Sequence, residues 1–510
     1  MRFQLLLTVL SLICATSGFS QVPKREFRAV WVATVANIDW PSKQGLSTAE
    51  QQEEVIRILN HHKKSGMNAI ILQVRPASDA IYNSSLEPWS RYLSGTQGVQ
   101  PEPYYDPLKF WIDEAHERGM ELHAWFNPYR IKQHLSDSLA EDHIIHKHPE
   151  WAFEYGDRLY FAPDRPEVWE FVKNVVVEVV RNYDIDAIHF DDYFYPYKIA
   201  GAEIPDEIAF KERGGIFYPD RKAEWRRQNV DTIIQILSDA IKTEKPWVKF
   251  GISPFGVWRN RTEDPRGSET GAGTTNYDAL FADVLKWQQE GWIDYLMPQL
   301  YWRDDHPVAD FSTLAYWWAD QDYGRAMYYG LAPYRIDRKS DYKLWRRKRH
   351  FFEQIELIRT LQPVDGFGFF SSKHFFRKDL RSFDRKLSRK YMENIALVPR
   401  MPWIDNVAPE MPTGLRREQN RIYWDPPADT IEMNQGRFFV VYRYDRNAIR
   451  MLKRPENIIE ITGNNYIDFP DDRIPEGIYR VSALDRLYNE SQLSDTLKIE
   501  KKSLLNRILE

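Results

Sequence analysis

A chain of 510 residues exceeds one typical domain, and its 43% hydrophobic and 14% aromatic content is ample for a large core. The formal net charge of -5 argues against nucleic acid as a partner, because phosphate binding wants a basic surface. The 18 Trp and 28 Tyr exceed what a core requires and suit a cleft whose flat rings stack on sugar faces.

The N-terminus, MRFQLLLTVLSLICATSGFSQ, has an early Arg2, an apolar run from Leu5 to Ala15 and the small residues Gly18 and Ser20. This predicts a secretory signal peptide over residues 1–20, too short to span a membrane. The mature protein is then secreted, periplasmic or associated with the cell envelope. Cys14 is the single cysteine, and the bulky Ile13 before it spoils a lipid-attachment motif. No lipid anchor, disulfide or thiol chemistry is expected in the mature chain. No later stretch reaches the ~20 apolar residues of a membrane span.

From residue 21 to 397, apolar bursts alternate with amphipathic stretches. The bursts are FRAVWVAT (27–34), AIILQVRP (69–76), ELHAWFNPYR (121–130), AIHFDDYFYP (187–196), KFGISPFG (249–256), YLMPQLYW (295–302), AMYYGLAPYR (326–335) and GFGFFSSK (366–373). Between them, segments such as PEVWEFVKNVVVEVVRNY repeat apolar residues every three or four positions, the helical period. Gly66, Gly119 and Gly291 stand where left-handed helix C-caps belong. Eight strand–helix units predict an α/β fold, a (β/α)8 TIM barrel. A doubly wound open sheet fits less well, because no glycine-rich phosphate loop follows the first strand.

A Pro-rich segment at 398–414 reads as a linker, and residues 405–500 change to short alternating runs separated by turn residues. That predicts a small all-β sandwich after the barrel. The Pro-rich entry, the Trp424 strand and GIYRVSALDRLYNES resemble a fibronectin type III module. Such a module implies a spacer or a docking unit for a cell-wall or envelope partner, without catalysis.

In a barrel, alternate strand residues face inward and catalytic groups sit at the C-terminal strand ends. If Ile188 and Phe190 face the helices, then Ala187, His189 and Asp191 face inward and Asp192 points away. The same alternation sends Gln73 and Arg75, His123, Trp125 and Asn127, Ser253, and Gln299 and Tyr301 to one mouth. Tyr193, Trp258 and Trp302, next to these strand ends, join them as candidate substrate contacts. Without GxSxG or a cysteine, acyl transfer has no nucleophile. His123, His189 and Asp191 keep open a metal-dependent polysaccharide hydrolase or deacetylase. Paired carboxylates in an aromatic cleft point instead to glycoside hydrolysis without a cofactor, with Asp191 attacking or positioning water. His189 and Arg75 are expected to keep it ionised. Asp192 is expected in a supporting role.

GMELHAWFNPYR (119–130), IHFDDYFYP (188–196), GISPFGVWRN (251–260) and YLMPQLYW (295–302) resemble the glycosyl-hydrolase-like family 10 of bacterial envelope proteins. The likeness covers nearly all of residues 25–395. It implies a (β/α)8 barrel, glycosidase activity and, for the closest type, cleavage of peptidoglycan strands stripped of stem peptides. The family's kinship with retaining α-glycosidases, which carry a nucleophilic Asp at the end of strand four, matches Asp191. Those relatives place the acid on strand five or six, but GISPFG and YLMPQLYW contain no carboxylate. The acid is therefore expected from a loop, at Asp79, Glu203, Glu263, Asp264, Asp304 or Asp305. With no strand-borne acid, a non-catalytic glycan-binding barrel stays open as well.

Overall fold

Eight parallel strands close into a barrel in chain order: β1 (Phe27–Val32), β2 (Ala69–Arg75), β3 (Glu121–Phe126), β4 (Ala187–Phe190), β5 (Lys249–Ile252), β6 (Tyr295–Leu296), β7 (Ala326–Leu331) and β8 (Val364–Phe369). The computed structural model describes residues 23–429, 431–445, 453–469 and 473–500. The expected signal peptide and Cys14 lie outside them. All eight strands fall within the apolar bursts of the sequence or begin two residues before one. Strands of a parallel barrel are covered on both faces, so they read as continuous apolar runs. β1 closes the ring by pairing with β8 and β2.

Each strand is followed by a helix: α1 (Thr48–Lys64), α2 (Pro107–Glu117), α3 (Pro166–Asn182), α4 (Lys222–Glu244), α5 (Val284–Gln289), α6 (Phe311–Ala319), α7 (Lys348–Ile358) and α8 (Arg381–Lys386). Ser47 starts α1 with a reciprocal capping box to Glu50. Gly66, Gly119 and Gly291 adopt positive φ just past α1, α2 and α5, as their C-cap positions require. The helices' apolar stripes and the strands' outward residues form one shell, with Val55, Leu59, Val175, Val179, Ile234 and Ile355 fully buried.

Two excursions matter for function. After β3 the chain builds a small antiparallel sheet from residues 130–132, 152–155 and 158–161 at the barrel mouth. Beyond the barrel, a three-stranded and a four-stranded antiparallel sheet enclose a second core around Trp424, Phe439, Val441, Tyr479 and Val481. The Pro-rich segment expected as a linker is packed at its start: Val398 and Met401 are buried, and Trp403 Nε1 donates to Asp294 at 3.1 Å.

Candidate active site

The C-terminal strand ends open into a cleft of about 370 Å³. Asp191 and Asp192 both line it, and both are buried, 5% and 3% exposed. The expectation that Asp192 points away is corrected here. Alternation holds only along an extended ladder, and β4 makes its last pairs at Phe190, with Phe126 on one side and Ile252 on the other. Asp191 then turns the chain, its Oδ1 accepting the N–H of Tyr193 at 3.2 Å, an Asx turn that aims consecutive carboxyls the same way. Trp125 Nε1 donates to Asp191 Oδ2 at 3.0 Å, and the Tyr197 hydroxyl donates to Asp192 Oδ2.

Burial raises the pKa of Asp191 well above the carboxylate range, and the charge of Asp192 raises it further. Arg130, the Tyr193 N–H and the Trp125 indole oppose the shift without cancelling it. Burial raises Asp192 as well, against the Tyr197 hydroxyl, Gln299 and Arg130. The pair therefore titrates as a unit and keeps a proton at neutral pH. The expected ionising partners are elsewhere. A bulge between Gln73 and Arg75 breaks the alternation of β2, so Arg75 leaves the cleft and pairs with Glu87, Nε to Oε2 at 2.7 Å.

His189 and His123 lie below the cleft, in a hydrogen-bonded column down the barrel axis. Trp31 Nε1 donates to His189 Nε2 at 3.3 Å, which leaves the ring proton on Nδ1, facing the Tyr295 hydroxyl at 2.9 Å. Tyr295 then donates to His123 Nδ1 at 2.8 Å, and His123 Nε2 donates to Glu121 at 2.8 Å. Lys249 closes the column on the other oxygen of Glu121. Burial pushes His189 well below its ordinary pKa, in keeping with a neutral ring. Both histidines are thus committed to this column, and among the described residues no three His, Cys, Asp or Glu side chains are grouped to hold a metal ion.

Of the other expected contacts, Gln73, Trp125, Asn127, Tyr193, Ser253, Gln299 and Tyr301 line the cleft. Trp258 does not: it is buried behind it, stacked on Trp317 at 6.0 Å. Trp302 packs edge-on against Phe255 and lies off the lining. The loop carboxylates are also elsewhere. Asp79 is buried beside Gln97, and Glu203 lines a separate hollow with Tyr155 and Ile199. Asp264 pairs with Arg259 and Arg266, and Glu263 is exposed. Asp304 faces His350 at 3.3 Å, and Asp305 pairs with Arg303. Among the described residues, Asp191 and Asp192 are the only carboxylic acids lining the cleft.

Sequence reasoning missed Trp31, Arg130, Gln133, Arg158, Tyr334 and Phe370, all of which line the cleft. Trp31 shares the inward parity of Ala29 and Ala33, and Tyr334 and Phe370 follow the ends of β7 and β8. Extending the alternation to those strands would have found them. Arg130 and Arg158 come from the small antiparallel sheet, which carries no such signal. Five buried polar atoms around the cleft have no protein partner: Gln73 Nε2, Asn127 Oδ1, Arg130 Nε, Gln133 Oε1 and Ser253 Oγ. Rings and unpaired donors and acceptors together suit a polyhydroxylated ligand.

The family profile described as Glycosyl hydrolase-like 10 matches residues 26–345. The chain is 43% identical over 483 residues to Glycosyl hydrolase YngK of Bacillus subtilis (strain 168), covering 92% of each chain. It is 38% identical over 370 residues to Glycosyl hydrolase DigH of Escherichia coli (strain K12), covering 68% of this chain and 83% of that one. Among solved structures, the catalytic domain of a β-amylase from Paenibacillus polymyxa aligns at 12% identity and TM-score 0.49, over 72% of this chain and 99% of that one. With the profile spanning more than half of the chain and a relative at 43% identity along most of its length, the chain belongs to the glycosyl hydrolase-like 10 family.

Proposed function

We propose that the protein is an exported glycosidase that hydrolyses bacterial cell-wall glycan freed of its stem peptides, with Asp191 and Asp192 as the catalytic pair. One observation carries this reading: the cleft is lined by two neighbouring carboxyls, both buried and both raised in pKa. Glycoside hydrolysis needs one protonated and one ionised carboxyl, and the pair supplies both. The missing acid is then a member of the pair itself and not a loop residue.

We assign the proton to Asp191, because burial and the neighbouring charge of Asp192 both disfavour its ionising, and this exchanges the roles that strand alternation suggested. Asp191 gives its proton to the glycosidic oxygen as the bond from that oxygen to the anomeric carbon breaks. The Asp192 carboxylate faces the positive charge that develops on the sugar. Water then forms the new bond to the anomeric carbon and returns a proton to Asp191. The predicted signal peptide supports export, and the names of the relatives support glycosidic chemistry. The fibronectin type III-like module is read as a spacer or docking unit toward the envelope.

The test is product analysis after incubation with amidase-treated peptidoglycan, intact peptidoglycan and unrelated glycans, with and without a chelator. Chelator-insensitive cleavage of the peptide-free glycan is expected. Binding without any product would leave a glycan-binding barrel in its place. Asp191→Asn should lose on the order of a thousandfold on the natural glycan, and far less on an aryl glycoside whose leaving group needs no proton. Asp192→Asn should be slow on both. Rescue of Asp192→Asn alone by the aryl substrate would reverse the two roles.

A further inference from the structure

The Asp pair accounts for hydrolysis but not for the two arginines on the wall of the same cleft. Arg130 is 5% exposed, and its guanidinium lies 4.6 Å from the centre of the Tyr193 ring. Its Nε has no partner, and among the described residues it forms neither an ion pair nor a side-chain hydrogen bond. Arg158, half-buried on the same small sheet, likewise has no carboxylate within ion-pair distance among the described residues. Elsewhere in the molecule, buried arginines are paired: Arg75 with Glu87, Arg28 with Glu26, Arg226 with Asp206. A buried guanidinium left unpaired is costly unless a ligand completes it. Arg130 also steadies the Asp pair. Arg158 is not among the largest influences on either carboxyl, so that role does not explain it.

We infer that Arg130 and Arg158 form a carboxylate-binding subsite, which receives the free lactyl carboxylate of the wall glycan and so selects strands without stem peptides. This rests on the proposed function and names the group that the cleft reads. A neutral sugar offers hydroxyls and amides for Gln73, Asn127, Gln133 and Ser253 but no anion to balance two cations. The wall glycan carries an ether-linked lactyl group on every second sugar. With a stem peptide attached, that carboxyl is an amide and carries no charge for the two guanidinium groups to pair with. Once the peptide is removed it becomes an anion whose planar oxygens match the guanidinium fork.

The experiment compares three substrates: amidase-treated glycan, the same glycan with its carboxyls converted to methyl esters, and intact peptidoglycan. Charge-assisted pairing predicts that esterification lowers kcat/KM of the unaltered protein on the order of tenfold or more, chiefly through KM. In Arg130→Gln and Arg158→Gln the ratio of free to esterified glycan should fall toward one. If Arg130→Gln does not fold, the half-buried Arg158→Gln and the esterified glycan on the unaltered protein decide the matter. Equal cleavage of free and esterified glycan by the unaltered protein overturns the subsite and leaves the proposed function standing. Cleavage of none of the three overturns the proposed function, and the subsite with it.

Discussion

Burial and the neighbouring charge disfavour ionising Asp191, and under the proposed mechanism this sets stability against activity at one residue. An unfolded aspartate ionises near about 3.9. The folded value is raised, so the stability from this group is full in acid and is lost as pH rises through the folded value. Asn cannot ionise and escapes that loss. Asp191→Asn should therefore unfold roughly 2 °C above the wild type on the alkaline side of neutral, with the difference shrinking toward pH 4. Calorimetry across pH checks this beside the turnover loss, and a less stable but active Asp191→Asn would refute both. Under the proposed mechanism only the singly protonated pair is competent, so turnover of the wild type should follow a bell against pH, with its alkaline limb set by the raised value. At this scale the sequence was legible wherever inward parity persisted, within the strands at Gln73 and Trp125 and past their ends at Asn127, Gln299 and Tyr301. All five reach the cleft. Alternation failed at Arg75, where β2 bulges, and at Asp192, where β4 has already ended.

Strands and helices were legible as elements because burial on both faces writes apolar runs and burial on one face writes a helical stripe. The small sheet at 130–161 was not, since its strands of three or four residues are short and partly exposed. It nevertheless supplies both cleft arginines, and its first strand is followed directly by Gln133. How tightly one element constrains another is clearest where β5 meets β6. Tyr295 sends its ring across the barrel axis to reach His189 and His123, and it passes over Gly251. A Cβ at Gly251 would lie 1.9 Å from Tyr295 Cζ, so only glycine leaves room for the column. Gly251→Ala should cost about 1–3 kcal/mol by overpacking. It should also push Tyr295 off its histidines, loosening Trp31 and raising KM before kcat. Thermal unfolding and steady-state kinetics measure the two effects. An alanine that leaves both unchanged would show that the column tolerates displacement.

Over the whole molecule, the cleft and the C-terminal sheets occupy opposite ends of the barrel. Phe438, Val440, Tyr442 and Tyr444, on one face of the four-stranded sheet, join the cluster that includes Phe27, Leu397 and Val398. Because Phe439 and Val441 face the module's own core, the run FFVVY is apolar on both faces, a sign in the sequence that this sheet is covered twice. Polar contacts ring the junction: Lys24 to Glu490 at 2.6 Å, and Arg437 and Arg486 each 2.6 Å from Asp184. Lys249 Nζ, at the foot of the axial column, lies 5.5 Å from the centre of the Tyr488 ring. Gly119 runs so close that a Cβ would meet Ile461 O at 2.5 Å. A chain ending near Pro399 would expose this apolar face and open the buried Glu121–Lys249 pair to water. Several side chains worth roughly 1.5–3 kcal/mol each would lose their cover, so Tm should fall by about 5 °C or more. No residue of the C-terminal sheets lines the cleft among the described residues. Turnover of a short soluble glycan, measured well below the new Tm, should therefore stay within about threefold of the full chain. An unchanged Tm would mean that the docked face contributes nothing to stability. A truncated chain that stays folded at the assay temperature yet is inactive would mean that the module acts on the chemistry through the barrel, with the axial column from Lys249 to Trp31 as the first connection to break by mutation.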